Sequence, residues 1–203
     1  MDAHAWDERY AGREPVWSVE PNQFVARECT DLASEPRRAV DLAAGEGRNA
    51  IWLARQGWEV TAVDFSRTGL EKGRQLAGDA RVEWVHADAT TWRGTGYGLA
   101  VVCYLQLPAA ERAAAVRNAF DALVPGGTFL LVAHDSSNLL DGTGGPQDPA
   151  VLMSAEDVLA DLVGKDFDVV RAGRVERLVA VPDEHGGASE RTAYDCLVRL
   201  TRR

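Results

Sequence analysis

The chain has 203 residues, of which 46% are hydrophobic and 26% charged, and a formal net charge of −9. That acidic balance opposes a non-specific phosphate-binding face, which needs clustered Lys and Arg, so nucleic acid is not the expected partner. No uninterrupted apolar run approaches the ~18 residues that a membrane span requires, so no membrane contact is expected. Cys29, Cys103 and Cys196 are far apart and form no CxxC pair, which suits a reducing compartment without disulfides or a zinc site. The N-terminus lacks a basic stretch followed by an apolar one, and a cytoplasmic location is expected. The length suits one domain burying roughly 70% of its unfolded surface, as a monomer or homodimer.

Residues 1–36 read as a helical lead-in, with an aromatic and proline-bearing stretch from Trp17 to Pro21 and a helix from about Asn22, its N-cap, to Leu32. From Arg38 the pattern alternates. Ala39–Ala43 is a short strand, and a helix from about Asn49 to Arg55 stops at Gly57. Trp58–Phe65 is strand-like, and Ser66 caps a helix reaching about Ala77. Val82–His86 and Leu99–Tyr104 are the third and fourth strands, followed by a helix over Ala109–Leu123. Pro125-Gly126-Gly127 turns the chain into a fifth strand, Thr128–His134.

The last third changes character. Asp135–Pro149 is a glycine-bearing loop, and Ser154-Ala155-Glu156-Asp157 opens a helix with a capping box. Phe167–Val179 and Ala193–Leu200 are strands separated by the polar Pro182–Arg191 loop. The expected fold is α/β and Rossmann-like. It has a seven-stranded, mostly parallel sheet ending in an antiparallel hairpin, with helices on both faces.

The segment Val40-Asp41-Leu42-Ala43-Ala44-Gly45-Glu46-Gly47-Arg48-Asn49 is the most informative stretch. An apolar strand runs into a turn where Gly45 and Gly47 let the backbone bend tightly and approach a ligand without a Cβ. The amides that open the next helix face the same crevice. Two more strand-like runs end in acids, Asp64 and Asp88. Asp64 stands 19 residues after Gly45, where a carboxylate can accept from both ribose hydroxyls; an ordinary strand-end acid beside Ser66 is the competing reading. Three coordinated strand ends point to a nucleoside-bearing cofactor.

With VDLAAGEGRN as first motif, VTAVDFS (60–66) as second, HADAT (86–90) as third and LVPGGTFLLV (123–132) leading into the fifth strand, the chain resembles class I S-adenosylmethionine-dependent methyltransferases. The lead-in WDERYAGREPVWSVEPN (6–22) is similar to the cofactor-covering segment of small bacterial members, among them the tellurite-resistance and thiopurine-type enzymes. That resemblance divides the chain into a covering segment (1–36) and a Rossmann-like core (37–203). It implies S-adenosyl-L-methionine as cofactor and S-adenosyl-L-homocysteine as product. The family commonly has glycine where Ala43 stands, which narrows the turn, and the aspartate that often opens the fourth strand is missing.

The resemblance assigns roles residue by residue. Asp88 would accept from the adenine amine while the Ala89 amide donates to the ring, with Phe65 and Leu105 or Gln106 flanking it. Asp41 would lie near the methionine ammonium. Arg48 and Asn49 would order the methionine carboxylate end, or serve only as polar helix-start residues. Glu46 reads as solvated charge. Tyr10 and Trp17 would form a lid over the methionine end, and Trp17, Tyr104, His134, Asn138 and Gly145 would line the acceptor pocket. His134, at the end of the fifth strand, is the candidate general base or else a structural histidine.

No nucleophile is announced, because an activated methyl group needs alignment and desolvation more than covalent help. No Pro-Cys or Asn/Asp-Pro-Pro-Tyr/Phe motif marks a base methylase, and no metal is expected. The expected acceptor is a small molecule: an oxyanion, thiol, amine or phenolic metabolite. Two rivals stand. Gly45, Gly47 and Ala50 also fit the G-x-G-x-x-A of an NAD-dependent oxidoreductase, and the cofactor could serve a non-catalytic regulator.

Overall fold

The computed structural model describes residues 3–12, 16, 18–182 and 187–203. After α1 (Ala3–Tyr10) and α2 (Gln23–Cys29) the chain runs β1 (Arg38–Leu42), α3 (Arg48–Arg55), β2 (Glu59–Asp64), α4 (Arg67–Ala77), β3 (Val82–His86), β4 (Tyr97–Cys103), α5 (Ala109–Asp121) and β5 (Leu123–His134). A short helix α6 (Asn138–Asp141) and a 3₁₀ turn (Pro149–Val151) interrupt the next loop. Then come α7 (Ala155–Asp161), β6 (Phe167–Pro182) and β7 (Ala188–Arg202). All seven strands form one sheet in the order β3-β2-β1-β4-β5-β7-β6. Strands β1 to β5 are parallel, and β7 lies antiparallel between β5 and β6.

Residues two apart along the strands enter the same core. On one face Val40, Leu42, Val102, Phe129 and Leu131 pack against Val116 and Phe120 of α5, Val158 of α7 and Leu162 just past its end. On the other, Ala39, Val60, Leu99, Val101 and Leu130 meet Phe24 and Val25 of α2 and Leu53 of α3. Consecutive residues such as Leu130 and Leu131 are therefore both buried, which is why the strands read as apolar runs. Each large side chain so buried stabilises by about 1.5–3 kcal/mol.

Caps set the helix ends. The Asn22 carboxamide oxygen accepts from the Phe24 and Val25 amides. Ser66 accepts from Gly69, and Ser154 with Asp157 completes the capping box.

The hairpin is longer than the sequence pattern predicts. Its strands pair from Phe167↔Arg202 to Pro182↔Ala188, whereas β7 pairs with β5 only from Thr201 to Asp195. Beyond Asp195 the two strands continue as a ribbon that overhangs the end of β5. Ladder hydrogen bonds need no apolar side chains, so the polar run Ser189-Glu190-Arg191-Thr192 is strand here. Apolar alternation marks burial, and this ribbon has left the core.

Trp84 of β3 requires glycine in two places. A Cβ on Gly47 would lie 2.4 Å from its ring, and one on Gly73 of α4 2.5 Å from the ring and 2.9 Å from the Glu46 carbonyl oxygen. Gly73→Ala is therefore expected to lower stability by about 1–3 kcal/mol in urea unfolding, although alanine is the better helix former by about 1 kcal/mol. In a Trp84→Leu background the same change is expected to cost less. A Gly73→Ala midpoint at or above the parent's would contradict this packing.

Candidate functional site

Strands β1 and β4 lie side by side and are parallel, but their connections leave in opposite directions, β1 to β2 and β4 to β5. Open α/β sheets bind ligands in the crevice outside the carboxyl ends of such a pair. The strand-end residues singled out from the sequence gather along this edge.

The turn after β1 is held by β2. The Val63 carbonyl accepts from both the Ala43 and Ala44 amides, at 2.8 and 3.0 Å, and Asp64 Oδ2 accepts from the Gly45 amide at 2.7 Å. Ala43, Gly45 and Gly47 all take left-handed φ angles of 64°, 57° and 76°. At Ala43 this costs about 1–2 kcal/mol that glycine would not incur, so the departure from the family's glycine is a strain in the turn itself.

Asp64 Oδ1 accepts from the Ser66 amide at 2.8 Å. Burial raises its pKa, while the Ser66 and Gly45 amides oppose that rise. Each oxygen has a further lone pair for a hydroxyl donor, so bracing the turn leaves this side chain able to accept from a ligand. Asp88 is exposed; its Oδ1 accepts from the Thr90 amide and hydroxyl, both at 2.7 Å. Phe65 and Leu105 are half-buried and Ala89 is buried, its carbonyl accepting from Asn118.

Asp41 is almost fully buried. Its Oδ2 accepts from the Ala50 amide at 3.1 Å, and its Oδ1 has no hydrogen-bond partner among the described residues. Burial pushes its pKa up to about 7, against the pull of the Ala50 amide and of Arg48. A buried, half-satisfied carboxylate beside a helix start is a place for a cationic or N–H-bearing ligand group. The turn, Asp41 and Asp64 together fit the amino-acid and ribose ends of S-adenosylmethionine.

Several assignments change in the folded chain. Asn49 Oδ1 accepts from the Asn22 amide at 2.9 Å, so it ties α2 to α3, and its side chain is engaged within the protein. Glu46 is not solvated charge: its oxygens accept from the Val16 amide, at 2.9 and 3.2 Å, and pair with Lys72 at 2.8 Å. It fastens the lead-in over the glycine turn. Tyr10 is buried against Gly45 and Gly69, whose added Cβ atoms would lie 2.5 and 3.1 Å from it. Its helix is docked by Asp7, which accepts from the Ser66 hydroxyl and the Thr68 amide. Arg48 reaches Ser18 at 3.4 Å, and Trp17 lies outside the described residues.

On the acceptor side, Tyr104 follows β4 with a left-handed φ of 56°, rare for an aromatic residue and costing about 1–3 kcal/mol. Its ring lies 4.7 Å from that of His134. Asp195 of β7 takes the Tyr104 hydroxyl and Arg177 Nε on Oδ2, each at 2.8 Å, and presents Oδ1 3.4 Å from His134 Nδ1. Sequence reasoning missed Asp195 and Arg177. The signal was an acid between Ala193 and Leu197 on a buried strand face. Gly145 packs on His134, 3.0 Å from Nδ1 if given a Cβ. Asn138 is buried; its amide accepts from the Tyr194 amide and donates to the Gly144 carbonyl, so it braces the 135–151 loop. Among the described residues no helix is long and apolar enough to cross a membrane.

A family model described as "Methyltransferase domain" matches residues 39–127. The chain is 49% identical over 80 residues to a demethylmenaquinone methyltransferase of Clavibacter sepedonicus, a stretch covering 39% of this chain and 30% of that protein. The aligned part is thus under a third of the relative's length. Among solved structures, a SAM-dependent methyltransferase from Anabaena variabilis has a TM-score of 0.73 at 15% identity, covering 99% of this chain and 93% of its own. TehB from Haemophilus influenzae has a TM-score of 0.70 at 15% identity, covering 99% and 67%. These structural likenesses are of fold, and the tellurite-type comparison goes no further.

The raised pKa of Asp41 has a signed consequence. The unfolded carboxyl loses its proton near the ordinary value of 3.8 and the folded one near 7, so stability falls as pH rises between them, by at most about 4 kcal/mol. Asp41→Asn is expected to raise the urea midpoint more at pH 8 than at pH 5, and to weaken S-adenosylhomocysteine binding in calorimetry. A variant that gains nothing at pH 8 would refute the assignment. The glycine turn, the buried strand-end acids and the β5-β7-β6 hairpin agree with the matched segment: residues 39–127 form a methyltransferase domain, and the chain has the fold of S-adenosylmethionine-dependent methyltransferases.

Proposed function

We propose that the chain transfers the methyl group of S-adenosylmethionine to a small-molecule acceptor bearing a protic hydroxyl, with His134 taking the proton. The observation that carries this reading is the position of His134. It ends β5 on the ligand-binding edge of the sheet, beside Tyr104 at the end of β4. The cofactor, when bound, supplies a methyl carbon already activated by a sulfonium.

The chain's own residues do the rest. Asp64 would hold the ribose hydroxyls, Asp88 the adenine amine and Asp41 the ammonium, while Gly45 and Gly47 give the turn the left-handed backbone it needs. Tyr104 and the overhanging ribbon wall the acceptor side and exclude water. As the acceptor's O–H bond breaks, its proton passes to the imidazole. The bound cofactor would supply the methyl carbon to that oxygen, its carbon–sulfur electron pair leaving with S-adenosylhomocysteine.

A phenolic or hydroquinone acceptor suits this arrangement best. The Tyr104 ring offers an aromatic surface beside the base, and the curated relative is named for a quinone substrate. The net charge of −9 disfavours a polyanionic acceptor.

Transfer of a labelled methyl group to a panel of hydroquinones, thiols, amines, tellurite and RNA tests the reading. Turnover is expected with hydroquinones foremost. Binding of S-adenosylhomocysteine with no turnover on any acceptor would favour a regulatory cofactor-binding protein instead, and binding of NAD in its place would sink the cofactor assignment. Asp64→Asn is expected to weaken S-adenosylhomocysteine by ~1.5–3 kcal/mol, on the order of 10- to 100-fold; unchanged affinity in calorimetry would remove the ribose role.

A further inference from the structure

His134 Nδ1 and Asp195 Oδ1 are both buried, and neither is hydrogen-bonded to any other group among the described residues. They face one another at 3.4 Å. Two buried polar atoms with no alternative satisfy each other or forfeit about 1–3 kcal/mol each. A carboxylate oxygen only accepts, so the proton between them sits on Nδ1. The neutral imidazole then carries its lone pair on Nε2. The His134 side chain is 15% exposed although Nδ1 is covered, so its exposed edge lies elsewhere on the ring.

We infer that Asp195 is the positioning residue of this site: it holds His134 in the Nδ1–H tautomer, which leaves Nε2 as the proton acceptor. The inference rests on the methyl-transfer reading above for its purpose, but its geometry stands apart from it. Every group around His134 agrees. Tyr104, just after β4, packs its ring against His134 at a tilt and donates its hydroxyl to Asp195. Arg177 of β6 donates Nε to the same oxygen, Oδ2, leaving Oδ1 for the histidine. Gln106 accepts from the His134 backbone amide at 3.2 Å and donates to the Val151 carbonyl at 2.6 Å, and Gly145 covers the ring where a Cβ would collide.

Arg177 also keeps Asp195 ionised. Burial alone would raise the Asp195 pKa, but the facing His134 ring and the hydrogen bonds from Arg177 and Tyr104 hold it below the usual carboxylate value. The carboxylate therefore does not compete for the acceptor's proton. When Nε2 takes that proton, the imidazolium forms against an anion already in place, with no side chain needing to move.

The substitution Asp195→Asn separates orientation from packing. Arg177 Nε and the Tyr104 hydroxyl both donate, so the Asn oxygen must face them and its NH₂ must face His134. An NH₂ donor demands a lone pair on Nδ1, and the proton moves to Nε2.

Nitrogen-15 NMR of histidine-labelled protein, without cofactor or acceptor, reads this directly. The parent protein is expected to show neutral His134 protonated on Nδ1, and Asp195→Asn the inverted tautomer. A parent protein protonated on Nε2, or a folded Asp195→Asn with an unchanged tautomer, overturns the inference. Because the parent protein alone can refute it, misfolding of the variant does not shelter it. With 1,4-naphthohydroquinone as acceptor, Asp195→Asn is expected to lower kcat on the order of 10²- to 10⁴-fold, at S-adenosylhomocysteine affinity within twofold of the parent's. Equal kcat would also overturn it. A parent protein that methylates nothing counts against the proposed function, whereas the tautomer decides the role of Asp195.

Discussion

Asp64 closes the turn after β1 by accepting the Gly45 amide at 2.7 Å, while Val63 beside it accepts two more amides from the same turn. These three bonds join the ends of neighbouring parallel strands, and most of the binding edge is built on them. They hold Ala43 in a left-handed conformation it would not choose, and they aim the start of α3 at the crevice. Its first turn in turn brings the Ala50 amide to Asp41 and Asn49 to the lead-in. The strain at Ala43, about 1–2 kcal/mol, persists because three hydrogen bonds overdetermine the turn.

Three buried carboxylates stand along this edge in three environments. Asp41 has one oxygen unsatisfied and a raised pKa, the state of a site awaiting a donor. Asp64 is braced by two amides yet retains lone pairs. Asp195 takes Tyr104 and Arg177 on one oxygen, faces His134 with the other, and is held below the usual carboxylate pKa. Burial works the same way on all three; what differs is the number and charge of the donors facing each. The same side-chain type is thus suited to meeting a cofactor at one end of the edge and to orienting a base at the other.

Much of the architecture was legible because strand and helix leave different periodicities, and because glycine, Ser66, Asn22 and Ser154 act within a few residues of their own position. The ends of β6 and β7 were less so, since an exposed ribbon needs no apolar alternation. The candidate site divides along the same line. Asp41, Asp64 and Asp88 are strand-end acids on neighbouring strands, so topology alone brings them to one edge. Glu46, Asn49 and Asn138 looked like surface or ligand-facing polar residues. Their partners Val16, Lys72, Asn22 and Tyr194 lie 26 to 56 positions away and exert no pull on local pattern.

By itself the sequence determined the sheet, its terminal hairpin and the cofactor family, because each rests on patterns that repeat along the chain or on motifs a few residues long. Only the tertiary structure decided what surrounds His134. Its partners come from β4, β6 and β7, and Asp195 lies 61 residues downstream on a strand that runs antiparallel to its own. The reason is geometric: a charge in a strand core face is paid for by donors across the sheet, and which donors those are depends on register, not on sequence neighbourhood.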